Sequence, residues 1–307
     1  MTQIVVMKGW EGFADRLQIL SHLLHYCKLH GAAICVDWRD HMWGQTDLDF
    51  SDYFEILDIP VVPLSHVLER MEEGASILPA AFTKENIAAV PQESTRFSLY
   101  LSPLTNAYAK IDADIVVHNC NGVRTFHIYN LISNIRLTTA VSDIVCERLA
   151  GLQSPYTAVH LRGTDRLSKM TISEAMQPAV AALQAQPPHV QVRQYVLSDM
   201  KSMCDLWLAQ EPNARTVVDD YSIYKLPDGT QGTHQMAAEV LEFYGIKKHD
   251  LNVDTLTDFL ILCFANWSVG NSKDSLYTQM STFMRQGGKK GVANWVHGFE
   301  PNSVSLK

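Results

Sequence analysis

At 307 residues the chain has the length of about two domains, and 47% hydrophobic with 19% charged residues fits a globular core, not a disordered polymer. A formal net charge of −8 disfavours nucleic acid or an anionic membrane as the main partner, while leaving room for a local basic pocket. No stretch approaches the roughly 18 apolar residues of a membrane span. The start, MTQIVVMKGW, lacks the basic head, apolar stretch and cleavage site of a signal peptide. Six scattered cysteines (27, 35, 120, 146, 204 and 263) show no C-x-x-C spacing. The expectation is a cytoplasmic protein with reduced, mostly buried thiols, and neither a disulfide framework nor a zinc site.

The apolar run IVVM at 4–7 reads as a first strand. A Gly-containing loop follows, then a helix over 13–30. There Phe13, Leu17, Leu20, Leu24 and Cys27 keep a helical stripe that Gly31 ends. AAICVDW at 32–38 is a second strand. The stretch 40–110 shows little regularity beyond a helix at 65–73 capped by Ser65. DIVVHNC at 114–120 predicts another strand, and 133–150 a helix.

A second alternation starts at 156. Strand 157–161 leads to a helix at 172–185, whose start carries a capping box from Thr171 to Glu174. Strand 194–198 and helix 200–209 follow, then strand 215–218 and a long loop. Helices near 234–244 and 254–265, a short strand WSVG at 267–270 and a helix at 273–285 complete the chain. The pattern is α/β twice over, each half built on a parallel sheet. The boundary falls near 151–155, which separates domains 1–152 and 153–307.

Ligands of open parallel sheets collect beyond the carboxyl ends of the strands. In TAVHLRGTDRL (157–167) a core strand runs straight into Arg162, Asp165 and Arg166. An arginine there is a two-pronged donor for phosphate or carboxylate. The simpler reading is an Arg162–Asp165 ion pair that ties down a surface loop. Three other strand exits are polar as well. GWEGFADR (9–16) sets glycines against a helix start, which suits an anion, or else is a plain turn with Asp15 on the helix dipole and Arg16 solvated. VLSDMKSM (196–203) contains Asp199, well placed as an N-cap, and VVDDYSIY (217–224) ends a third strand. The first loop is neither G-x-G-x-x-G nor a P-loop, which weakens a nicotinamide oxidoreductase or an ATPase.

Taken in order, these blocks resemble the GDP-fucose-dependent fucosyltransferases, in particular the α-1,6 and nodulation group with its O-fucosyltransferase relatives. VHLRGTDR (159–166) is similar to that family's H-x-R-x-x-D stretch. GFADRLQ, VDWRD, LSDM, DDYSIY and DFLILCFANWSVGNSKDS (258–275) follow in the family's order and bring the coverage to about half of the chain. The resemblance implies two facing Rossmann-like domains of the GT-B glycosyltransferase architecture. The first would take the acceptor side and lend a donor-contacting loop; the second would bind the GDP-sugar.

Carried over by position, Arg162 would grip the donor pyrophosphate, and Asp165 and Arg166 would complete a catalytic group. His160 would lie against the nucleoside, and Asp199 would accept the guanine N–H groups. Gly9, Gly12 and Arg16 would border the phosphates and sugar, while Ser222, Asp258, Ser272 and Ser275 would line the rest of the donor site. The reaction implied is inverting, metal-independent transfer of fucose from GDP-fucose to a glycan or glycoconjugate, with no cofactor. Three positions depart from the family: in the first loop, Asp15 stands where many relatives carry an asparagine before the arginine. Gly163 stands where mammalian α-1,6 enzymes carry a second arginine, and Met170 falls where a glutamate is found. The alternatives are therefore a GDP-sugar-binding module with weak turnover, or a transferase for another GDP-sugar.

Two D-x-D tripeptides, DLD (47–49) and DAD (112–114), are of the kind that holds Mn²⁺ or Mg²⁺ with nucleotide sugars elsewhere. DAD precedes its strand instead of following it, so no metal is expected. His22 and His25, at i and i+3 with no third ligand, read as a core-edge and surface pair.

Overall fold

The computed structural model describes residues 2–9, 12–40, 48–89, 104, 106–118, 126–163, 167, 170–191, 193–227, 236, 238–272, 275–297 and 299. The chain divides into two compact units, Met1–Thr138 and Thr139–Lys307.

In the first unit, β1 (Ile4–Lys8) leads to α1 (Phe13–His30), which Gly31 ends in the left-handed conformation, φ 65°. Then come β2 (Ala33–Asp37), β3 (Phe54–Ile56), α2 (Leu64–Glu72), β4 (Ile77–Leu78), α3 (Lys84–Ala88), β5 (Ile115–His118), α4 (Ile128–Asn134) and β6 (Ile135–Leu137). The main sheet has the order β2-β1-β5-β4, all parallel, and β3 and β6 form a separate antiparallel pair. β1 sits between two neighbours and is buried throughout, which is why it reads as an unbroken apolar run. Ile4, Val6, Cys35, Ile115 and Val117 pack on Val67 of α2 and Ile87 of α3.

The second unit holds α5 (Thr139–Leu149), β7 (Thr157–Leu161), α6 (Ile172–Gln184), β8 (Gln194–Ser198), α7 (Lys201–Gln210) and β9 (Ala214–Arg215). It continues with α8 (Ala238–Phe243), α9 (Lys248–Phe264), β10 (Trp267–Gly270), α10 (Leu276–Gln286) and α11 (Lys289–Ala293). Its sheet order is β10-β7-β8-β9, again all parallel. The chain runs outward from β7 through β8 and β9, then returns to add β10 on β7's other side. That reversal is the switch point of a doubly wound sheet, where a crevice opens beyond the strand ends. Val159 and Leu161 point into a core with Met176, Ala179, Met203 and Trp207 from α6 and α7.

Several local expectations change. Helix 133–150 is α4's end, a short strand and α5, because Ile135–Leu137 pairs with Phe54–Ile56. Ser65 lies inside α2, whose N-cap is Pro63. α9 begins six residues earlier than its apolar run, at Lys248, and buries Asn252, Asp254 and Thr257 along with its aliphatic residues. The Thr171–Glu174 capping box forms as read, with the Thr171 side chain accepting from Glu174 N–H. Among the described residues Cys27, Cys35, Cys204 and Cys263 are buried, unbridged thiols, and Cys146 is half-buried.

Candidate functional site

The switch point of the second sheet gathers five of the residues singled out from sequence. β7 ends at Leu161, and Arg162 follows as a half-buried residue between β8 and β10. Its backbone N–H donates to Asn271 Oδ1 at 2.8 Å, and Asn271 Nδ2 donates to the Arg162 carbonyl at 2.8 Å. On the β8 side, Gly163 N–H donates to Asp199 Oδ1 at 2.7 Å. Asp199 is therefore not the N-cap of α7; that position is Met200, without a side-chain cap. Gly163 has no room for a side chain, since a Cβ there would collide with Met200 and lie 2.7 Å from Met203 Sδ.

His160, half-buried in β7, meets Thr278 Oγ1 through Nδ1 at 2.9 Å, and its ring lies 5.3 Å from that of Tyr277. Burial, and then the Arg162 charge, lower its pKa to about 4, so the imidazole is neutral at pH 7. Beyond β10, Ser272 is half-buried and Ser275 caps α10. The Ser275 side chain is fully buried, and its hydroxyl has no hydrogen-bond partner in the structure. A buried hydroxyl left unpaired at a helix start favours an anionic ligand.

A second group stands on α9. Asp254 and Asp258 are one turn apart, and Asp254 accepts Ser222 N–H at 2.7 Å while pairing with Arg148 of α5 at 2.9 Å. Arg148 also donates to Thr257 Oγ1 at 3.2 Å and lies 5.6 Å from the Tyr221 ring centre. Ser222, 7% exposed, thus opens a 3-10 turn, Ser222–Lys225, that α9 holds in place. Burial pushes the Asp258 carboxyl up to about 8; Tyr221 and Arg148 pull it down, and Asp254 and Asp199 push it further up. The Tyr221 hydroxyl and the Asp258 carboxyl are buried side by side, and it is hydrogen bonding from Tyr221 that opposes the effect of burial on Asp258. Burial likewise raises Asp254 to about 6, opposed by Arg148.

The first unit's strand ends are built differently. Gly9 N–H donates to the Asp37 carbonyl at 2.5 Å, and a Cβ at Gly9 would strike the Arg16 guanidinium and come within 2.7 Å of Trp38 Cα. Gly12 is the N-cap of α1. Arg16 is not solvated. Its side chain is fully buried, paired with Asp40, and donates to the Trp38 carbonyl at 2.9 Å. Lys8 and Arg39 both pair with Asp37, and Lys8 also donates to the Ile87 carbonyl at 2.8 Å. Burial raises the Asp37 carboxyl, but Arg39 and Lys8 outweigh it and hold it below the ordinary value.

Asp165 and Arg166, and with them the Arg162–Asp165 ion pair, lie outside the described residues. So do Asp47 and Cys120. Asp49 caps a 3-10 turn at Phe50, and Asp114 accepts from Ser76 N–H at 2.8 Å at the amino edge of the sheet. Among the described residues, no group of three or more His, Cys, Asp and Glu is arranged to hold a metal ion. His22 and His25 have a third histidine beside them, His127, stacked on His25 with ring centres 4.0 Å apart. Sequence reading passed over Asn271, Asp254 and Arg148. The i, i+4 spacing of Asp254 and Asp258 was legible, and Asn271 is one more polar residue at a strand exit. No local signal marks Arg148.

No family model matches the chain, and no curated protein matches it by sequence. Solved structures do. NodZ alpha-1,6-fucosyltransferase soaked with GDP-fucose superposes with a TM-score of 0.64 at 17% identity, covering 92% of this chain and 93% of that one. The fucosyltransferase NodZ from Bradyrhizobium gives 0.62 at 14% identity, with 92% and 94% covered. A point variant of Arabidopsis thaliana FUT1 in complex with GDP gives 0.52 at 11% identity, with 93% and 69% covered. The likeness is one of fold: mixed α/β with parallel sheets over nearly the whole chain. Among the described residues no helix is long and apolar enough to cross a membrane.

Proposed function

We propose that the chain is a glycosyltransferase that moves the sugar of a GDP-sugar, fucose in the first instance, to a glycan or glycoconjugate hydroxyl with inversion. The second unit binds the donor and the first serves the acceptor, with the Gly9–Gly12 loop bordering the donor and Arg16 supporting that loop from beneath. The observation that carries the reading is Arg162 at the switch point of the second sheet, with Asp199 on one side and the α10 start, with its unpaired Ser275 hydroxyl, on the other.

In such a transfer the bond from the anomeric carbon to phosphate oxygen breaks, and the electron pair leaves with the diphosphate. The carbon becomes oxocarbenium-like, as in glycoside hydrolysis, the acceptor oxygen adds from the opposite face, and its hydroxyl proton is released to solvent. The main need is to neutralise growing negative charge on the leaving group. The Arg162 fork, the N–H groups of the α10 start and the hydroxyls of Ser272 and Ser275 supply it without a metal ion. Asp165 and Arg166, just beyond it in the sequence, complete the catalytic group. Asp199 reads guanine because a carboxylate accepts two N–H groups that other bases do not present together. His160 is neutral and packs against the nucleoside, while Asp258, protonated at pH 7, and Ser222 offer hydrogen bonds to the donor.

The test is a thermal-shift series with GDP, UDP, ADP and CMP, each saturating; a ligand at 100 times its Kd stabilises by about 2.7 kcal/mol. GDP should raise the melting temperature most, and a preference for UDP would remove Asp199 from its assigned role. Transfer should persist in EDTA, and activity lost on chelation and restored by Mn²⁺ would overturn the metal-independent mechanism.

A further inference from the structure

The polar side chain that the proposed donor site leaves without a task is Asn271. β10 ends at Gly270, paired with His160, so the β10–β7 ladder stops two residues short of Arg162. In a parallel ladder the N–H and C=O of one residue face the same neighbour, and both need partners there. At Arg162 the neighbour strand has already ended, and the chain bends at Asn271. The Asn271 amide takes its place, accepting the Arg162 N–H and donating to the Arg162 carbonyl, each at 2.8 Å. A primary amide carries one acceptor and two donors on one rigid plane, so it can stand in for a peptide group in this way. The Asn271 N–H itself still bonds back to the His160 carbonyl at 3.4 Å. The same side chain thereby lets β10 leave the sheet early and keeps β7 extended by one residue.

We propose that Asn271 is the positioning residue for Arg162: its amide fixes the Arg162 backbone so that the guanidinium is held ready for a nucleotide diphosphate. This rests on the donor-site reading above. Without the amide, Arg162 would have an unpaired N–H and C=O on its β10 side and would sample other backbone conformations. The entropy of ordering it would then be taken from ligand binding. Asp199 secures the next residue, Gly163, on the β8 side, but it also belongs to the proposed base-reading group. Asn271 is therefore the cleaner position for a test.

GDP and guanosine affinities are measured by calorimetry for wild type, Asn271→Ala, Arg162→Ala and the double variant. Asn271→Ser is carried alongside as the smaller perturbation, in case the alanine variant does not fold. Asn271→Ala should weaken GDP about 10-fold and leave guanosine affinity unchanged, because only GDP carries the group that Arg162 holds. In the Arg162→Ala background the same change should cost less than about 2-fold. Equal losses for GDP and guanosine, or equal losses in both backgrounds, would mean that Asn271 merely supports the fold and would overturn the inference. No loss on Asn271→Ala where Arg162→Ala loses much would overturn it as well, with the donor site intact. Unchanged GDP affinity in Arg162→Ala would instead bring down the donor-site reading, and this inference with it.

Discussion

The carboxyl edges of the two parallel sheets hold similar residue types and use them in opposite ways. In the first unit, the charges answer one another. Lys8 and Arg39 share Asp37, and Arg16 is sealed against Asp40 and Trp38. In the second unit, the polar residues at the strand ends secure the backbone of Arg162, Gly163 and Ser222, and the buried Ser275 hydroxyl is left open at the start of α10. Buried polar groups are ordinarily satisfied, so an open hydroxyl beside a strand exit whose side chains serve the backbone suits a ligand better than an edge of paired charges. A strand ending in charge is therefore weak evidence of a site until the partners of that charge are known.

The widest gap between the edges should appear on breaking the Arg16 pair. Arg16→Ala strands Asp40 in the interior and should cost about 3–5 kcal/mol, read as a lower urea midpoint. If stability held and GDP affinity collapsed, Arg16 would be a ligand contact and not a buried support, and the contrast would fail. In the second unit, Gly163→Ala should cost about 1–3 kcal/mol, as the new methyl meets Met200 and Met203. It should also weaken GDP, because it moves Arg162's neighbour.

Titration gives a finer contrast. Burial lowers His22 in the first unit and His160 in the second to about 4 each. Both are neutral in the fold and protonate more easily when unfolded. Their contribution to stability is intact above pH 6.5 and declines as pH falls towards 4, by up to about 1.4 kcal/mol per pH unit per site. Asp258 runs the other way, because its folded pKa, about 8, lies above the unfolded value. Its contribution is greatest at low pH and is lost as pH rises to about 8. Asp258→Asn should therefore melt above wild type at pH 8, with the gap closing towards pH 4. Melting curves that stay parallel across that range would show that Asp258 is not held protonated. The smallest expected effect is Thr171→Ala, which removes a cap for about 1 kcal/mol and should leave GDP binding unchanged.

The sequence made the second unit more legible than the first, for a physical reason. β7 and β8 are the two inner strands of their sheet, so each reads as an apolar run that stops where the sheet stops, while β10 at the edge is shorter and half-buried. The Thr171–Glu174 cap is local and was legible from four residues. What stayed hidden depends on partners distant in sequence. Ile135–Leu137 is a strand only because Phe54–Ile56 lies beside it. Arg16 looks solvated until Asp40, 24 residues on, is brought against it. Asp199 carries every mark of a helix cap, yet its carboxylate is taken by Gly163 from 36 residues away. The candidate site was legible as a set of polar strand exits. Of the residues that hold it, Asn271 and Asp254 carry a faint local mark, while Arg148 answers to tertiary contacts alone.

The central claim is that Arg162 acts on a departing diphosphate. The most direct test measures GDP release from GDP-fucose and the melting temperature on the same preparations of wild type, Arg162→Ala and Arg162→Lys. A charged fork that works mainly in the transition state should cost about 10²–10³ in turnover when removed. Lysine should restore little, because it keeps the charge without the paired geometry, and the melting temperatures should stay close together. A near-wild-type rate for Arg162→Ala, with only a lowered melting temperature, would contradict the claim and leave Arg162 as a structural residue of the loop.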